Sequence, residues 1–402
     1  MNPERPAWPG LFRGLSAGSA RRSVIQLRPM VESSRPRVHS LAIELTAHCN
    51  QQCAYCYNAW RGEGTTDHRQ TSDPQSGEKL LARTRKLLAS LDVGHLTLTG
   101  GEPLSTPHVW DLLELTSEQG IGAQIISNGS LVTKTIAKRL AHHQVRYVQV
   151  TLNGPTAALH GEHAGGEAYF EATLRGIRTL ADQGVPIAGC MVVTHKNAGA
   201  VAETLDLWQS LGVAQIALSR FSPAGHAVAQ AARLLPSRGD MIEAFDQALP
   251  FARDQGMRIN ATMPIPPCVM ETEVYAPIGF GHCAIGTTMQ EFALGPGGKL
   301  RNCTLHDRAI GGVSDILDPS VAVAELITDV EVTRYRSKIP EFCEDCLHAP
   351  SCGGGCGAAA NWMLGDGPKR QPDPFLWQHI DDDFEARLAV QRSETVEHGG
   401  KK

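Results

Sequence analysis

Glu44-Leu-Thr-Ala-His-Cys49-Asn-Gln-Gln-Cys53-Ala-Tyr55-Cys56-Tyr57 sets three thiols at the spacing Cys-x3-Cys-x2-Cys directly behind the apolar run Leu41–Leu45. An apolar run of that length followed by polar residues predicts a buried strand leading into a loop. In barrels built of such units, loops at the C-terminal ends of strands carry the chemistry. Thiolates bind iron–sulfur clusters, and a [4Fe–4S] cube normally takes four protein ligands, so three local cysteines leave one iron open. A zinc site that shares these cysteines with His48 or a distant ligand is the alternative, although structural zinc sites favour paired Cys-x2-4-Cys knuckles.

Working outward, strand-like runs at Leu41–Leu45, Leu96–Leu98, Ala123–Ile126, Val145–Leu152, Ile187–Val193 and Gln215–Leu218 alternate with stretches of helical period near 78–92, 107–119, 131–142, 167–184 and 198–211. Such alternation specifies βαβ units and a parallel sheet. Six strands predict an α/β fold, a partial (β/α)6 TIM-type barrel. The expected organisation is a flexible arm over 1–38, the barrel over 39–225, a helical linker over 226–263, a cysteine-rich domain over 264–365 and a tail over 366–402.

The 402 residues carry a formal charge of −5, with Lys and Arg scattered, which argues against a nucleic-acid partner. No apolar stretch has the length of a membrane span, and no continuous apolar segment opens the chain as in a secretory signal. The expectation is a cytoplasmic protein. Eleven cysteines, an odd number, fit metal ligation better than a disulfide framework.

With Tyr55 at the aromatic position beside the third cysteine, the segment resembles the radical S-adenosylmethionine (radical SAM) superfamily. The resemblance implies that the open iron binds the amino and carboxylate groups of S-adenosylmethionine, and that reduction yields a 5′-deoxyadenosyl radical. It extends to Gly100-Gly101-Glu102-Pro103 behind the second strand, where Glu102 would accept a hydrogen bond from the methionyl ammonium and the glycines would let backbone approach the ligand. Ser127, Asn128 and Thr151 would lie near the ribose or carboxylate. Two departures bear on this transfer: relatives usually carry Asp where this chain has Asn153, and Arg near Ala164, shortly before the Gly that aligns with Gly165.

Farther on, Cys283, Gly298, Cys303 and the run Cys343-x2-Cys346-x5-Cys352-x3-Cys356 look like the SPASM extension of radical enzymes, which carries auxiliary [4Fe–4S] clusters. In isolation, the last four cysteines also fit a zinc ribbon. Family analogy assigns one cluster to Cys283, Cys303 and Cys356, with Cys268 as the candidate to complete it. The other falls to Cys343, Cys346 and Cys352, and since no cysteine follows Cys356, His379 or one of Asp381 to Asp383 would complete it, or an iron stays open. Thus one or two auxiliary clusters are expected. Cys190 reads as an inert buried thiol, and His306 and Asp307 as a proton acceptor or as surface turn residues. Thr304, where sulfatase-maturating relatives have Asp, weakens a sulfatase assignment.

The resemblance implies oxidative modification of a peptide or protein. Dehydrogenation or epimerisation of a small metabolite such as an aminosugar or cyclitol is the runner-up, and a non-catalytic Fe–S or zinc protein is the alternative of another class. Expected partners are the peptide or small-molecule substrate, an external electron donor such as flavodoxin or ferredoxin, and a separate leader-peptide-binding protein. No residue is singled out as the catalytic acid or base.

Overall fold

The computed structural model describes residues 34–58, 77–365 and 369–377. The apolar run ahead of the three cysteines is β1 (Arg37–Glu44), in which Leu41, Ala42 and Ile43 are wholly buried, as a strand covered on both faces requires. Behind it come β2 (Asp92–Thr99), β3 (Gly122–Ser127), β4 (Val148–Thr151), β5 (Ile187–Val193), β6 (Gln215–Arg220) and β7 (Arg258–Ala261). Each pairs in parallel with its predecessor. Parallel neighbours need long crossovers, and these are helical: α1 (Gly77–Ser90), α2 (His108–Gln119), α3 (Lys134–His142), α4 (Ala157–Ala164), α5 (Ala168–Asp182) and α6 (Val201–Ser210), then a helix over Arg238–Arg253.

Four strands go beyond the six expected. The stretch 226–263, read as a helical linker, closes with β7, whose four residues are too few to show a period against their surroundings. β8 (Gly279–Phe280) extends that edge. β9 (Glu291–Leu294), from the cysteine-rich stretch, pairs in parallel with β1, and β10 (Leu300–Arg301) returns antiparallel to it. The hydrogen-bonded order is β10-β9-β1-β2-β3-β4-β5-β6-β7-β8, an open sheet with β10 and β8 at its edges.

Three buried arginines join the C-terminal segment to this sheet and its first helix. Arg301 pairs with Glu44 at the end of β1. Arg83 on α1 pairs with Asp315 at 2.6 Å and also donates to Pro296 O. Arg220, at the end of β6, meets Asp373 at 2.7 Å with both side chains fully buried. Described residues from Arg35 onward form one compact unit. Residues 1–33 of the expected arm, and the expected tail apart from 369–377, lie outside the described residues. None of the described helices is long and apolar enough to cross a membrane.

Candidate functional site

The loop bearing Cys49, Cys53 and Cys56 leaves the C-terminal end of β1 and is pinned from three sides. Gly101 N–H donates to Thr46 O at 2.7 Å and Glu102 N–H to His48 O at 2.9 Å. A Cβ on Gly101 would lie 2.0 Å from His48 O, and Gly100 has a φ of +132°, so the two glycines are needed where their turn presses on the cysteine loop. The structure thus gives Gly100 and Gly101 a packing role against the cysteine loop. From α4, His163 O accepts from Ala54 N–H at 2.9 Å; from the other side, Ala227 N–H donates to Cys56 O at 3.0 Å.

Cys49 is buried, and burial together with the neighbouring Cys53, Glu102 and Cys56 pushes its thiol well above the ordinary range. A thiol held this way becomes a thiolate only when a cation compensates the charge, and iron would do so. Nearby, Gln51 Nε2 is buried with no hydrogen-bond partner among the described residues. Three thiols on one short loop, next to an orphaned donor, fit a cluster. Tyr55 packs beside Phe221 and Ala227, its hydroxyl pushed up by burial and by Cys53.

Glu102 is buried and accepts three hydrogen bonds: Leu104 N–H (3.0 Å) and the Ser127 hydroxyl (2.8 Å) on Oε1, and Asn128 N–H (2.8 Å) on Oε2. Burial pushes its carboxyl up to about 6 despite these donors. A carboxylate offers about four accepting positions, so one remains on Oε2. The Asn128 side chain closes a ring that the sequence reading missed: its amide donates to Asn50 Oδ1 (2.9 Å), Ser130 donates to its Oδ1 (2.6 Å), and Asn50 donates to Ser130 Oγ (2.9 Å). Tyr169 on α5 donates to Asn50 O at 2.6 Å. Asn50 lies inside the cysteine loop, and that adjacency was the available signal. Thr151, on β4, faces Cys190 rather than this ring; its hydroxyl hydrogen-bonds the Cys190 thiol, which burial pushes up to about 12. Cys190 is inert at neutral pH.

Asn153 is wholly buried, with Oδ1 accepting from Val192 N–H at 2.9 Å and its amide within reach of the Tyr55 hydroxyl. Its N–H donates to His160 Nδ1, while His163 bridges Leu159 O and Thr194 Oγ1. These two histidines of α4 were also missed.

The remaining thiols fall into two groups. Cys303 lies close enough to Cys356 and Cys283 for their charges to act on it, with burial the dominant influence holding it at about 12. Cys268 is coupled in the same way to Cys352, Cys343 and Cys346. The expectation that Cys268 completes the first group is at odds with these couplings: Cys352, Cys343 and Cys346 are the cysteines that act on its thiol. The invoked alternatives His379 and Asp381 to Asp383 lie outside the described residues. Among those described, no three His, Cys, Asp or Glu side chains converge as around a single ion. His306 is buried with its ring against Tyr335, not a surface turn residue, whereas Asp307 is exposed. Both line a cavity of about 550 Å³ next to Cys303, together with Asn302, Tyr335, Trp362 and Arg370.

Residues 43–207 match the family described as the radical SAM superfamily. Over that stretch the chain is similar to that superfamily. An AdoMet-dependent heme synthase of Oleidesulfovibrio alaskensis is 25% identical over 65% of this chain and 64% of its own length. Against such heme synthases the chain spans only about half to nearly two thirds of the relatives' length. A mycofactocin maturase, MftC, of Mycobacterium tuberculosis is 25% identical over 83% of this chain and 81% of its own. Among solved structures, native anSMEcpe with bound AdoMet and Cp18Cys peptide superposes with a TM-score of 0.64 at 17% identity, covering 89% of this chain and 99% of that one. At that identity the likeness establishes the fold.

Proposed function

We propose that this radical SAM enzyme oxidatively modifies a peptide or protein by cross-linking, dehydrogenation or a related maturation, using one radical-generating cluster and two auxiliary clusters in a SPASM-like extension. The observation that carries the reading is the sorting of ten of the eleven thiols into groups of three, three and four within one compact unit.

Cys49, Cys53 and Cys56 would hold the radical-generating [4Fe–4S] cluster. Cys283, Cys303 and Cys356 would hold one auxiliary cluster, and Cys268, Cys343, Cys346 and Cys352 the other. When bound, the reduced cluster and S-adenosylmethionine supply a 5′-deoxyadenosyl radical able to take hydrogen from an unactivated carbon. Glu102 keeps one accepting position for the methionyl ammonium, with Ser127 and Asn128 fixing its orientation. The Asn50–Asn128–Ser130 ring holds the cysteine loop against β3. The auxiliary thiols place an electron acceptor in the same unit, which favours net oxidation of the substrate. The reading calls for an external electron donor such as flavodoxin or ferredoxin, and a separate leader-binding protein is a further candidate partner.

Similarity to a PqqA peptide cyclase over most of both chains supports a peptide substrate. The heme-synthase matches favour a second reading, action on a small metabolite. Anaerobically reconstituted protein should hold about twelve irons, and the Cys49/Cys53/Cys56 triple alanine variant should lose about four of them. With dithionite and S-adenosylmethionine it should form 5′-deoxyadenosine. Stoichiometric zinc with little iron would overturn the reading. A mass change in a short peptide encoded beside the gene would decide for peptide over metabolite.

A further inference from the structure

Arg370 stands between the two auxiliary thiol groups. Its guanidinium lies against the turn Gly353-Gly354-Gly355, all three with positive φ: a Cβ on Gly353 would meet Arg370 Nη2 at 3.1 Å, and one on Gly357 would meet Arg370 Cδ at 2.8 Å. The ring of Tyr335 covers it, 5.2 Å from Cζ. This turn runs from Cys352 of one group to Cys356 of the other. The charge of Arg370 favours the thiolate of Cys283 in the first group and of Cys343 in the second. Yet Nε and Nη2 are buried without a hydrogen-bond partner among the described residues. Buried donors on a permanent cation are costly to leave unmade, and thiolate or sulfide sulfur is the acceptor that the surrounding chemistry offers.

We propose that Arg370 is a donor shared by the two auxiliary clusters, its Nε–H and Nη2–H groups bonding to sulfur and its charge raising the reduction potential of both. The inference rests on the cluster assignment proposed above. Reduction adds negative charge to a cluster, so a fixed cation and N–H donors favour the reduced state, and hydrogen bonds to sulfur are among the influences that set such potentials. One guanidinium serving both sites would keep the two potentials in step.

The test is a redox titration of the reconstituted full-length chain, followed by electron paramagnetic resonance, in wild type, Arg370→Gln and Arg370→Lys. The radical-generating cluster is recognised by its response to S-adenosylmethionine. In Arg370→Gln both auxiliary signals should move to lower potential by tenfold or more in the reduction equilibrium, about 59 mV for one electron. In Arg370→Lys, which keeps charge but loses the fork, both should move by less. Full iron with both potentials unmoved overturns the proposal, as does movement of one signal alone. Should the variants fail to load iron, wild-type protein labelled with 15N-arginine supplies the answer. Nitrogen coupling in both reduced auxiliary signals supports the shared donor, and its absence from either overturns it. A wild-type protein without iron would instead defeat the cluster assignment itself.

Discussion

Glu102 carries one negative charge in a place built to neutralise it only partly. Burial holds its carboxyl at about 6, so a cation arriving at its remaining acceptor position must find it ionised. The sign follows: above about pH 6 the carboxylate is ready and affinity for S-adenosylmethionine is flat, whereas below it binding must first expel a proton and weakens by up to tenfold per unit. Glu102→Gln should abolish this dependence and lower affinity by about 1.5–3 kcal/mol, the range of a charge-assisted hydrogen bond, in equilibrium dialysis from pH 5 to 8. Unchanged binding removes Glu102 from the site. Cys268 offers a second residue-level test. Cys268→Ala should cost iron from the Cys343 site and leave the signal of the Cys283 site intact; loss from the latter would contradict the four-thiol grouping. The spacing Cys-x3-Cys-x2-Cys was legible because its ligands are local. The coupling of Cys268 to Cys343 was not, since it is made across a long stretch of chain.

At the level of elements, α4 shows how a helix with no share in the motif positions the cysteine loop. His160 and His163 dock it on the Asn153 and Thr194 loops while its C-terminal backbone holds Ala54 and packs on Gln52, which is why Gly165 there has no room for a Cβ. Burial lowers His160 from an ordinary 6.5 to about 4. A depressed value means that the neutral ring contributes stability fully present above pH 6.5 and lost as pH falls through about 4, on the order of 3 kcal/mol. Urea midpoints measured between pH 7 and 4 should fall less steeply for His160→Gln than for wild type, and parallel slopes would show that His160 titrates as in the unfolded chain. The main strands β1 to β6 were readable since each is a run of apolar residues bounded by turns. β7 to β10 were not, being two to four residues long and stabilised by neighbours rather than by their own pattern. α4 was missed too: of its eight residues Gly161 and two buried histidines blur the apolar stripe.

Across the whole molecule, the cysteine-rich segment is held to the rest of the fold by buried ion pairs. Asp373 accepts from Arg220 and, at 2.7 Å, from Cys356 N–H, so one carboxylate links the end of β6 to a proposed cluster ligand. Arg220→Met should cost about 3–5 kcal/mol in denaturant unfolding, because it leaves that carboxylate buried and unpaired. A loss under 1 kcal/mol would show that water reaches the pair.

The pairing of β1 with β9 also orders events in time. During synthesis β1 emerges some 250 residues ahead of β9, since Ser40 waits for Glu291. Until then, one side of an apolar strand presents unmatched N–H and C=O groups, the template on which chains aggregate. The nascent chain is therefore most vulnerable between translation of the Cys49 loop and translation of the cysteine-rich segment, and a chain released near residue 264 should collect in inclusion bodies rather than persist as a soluble fragment.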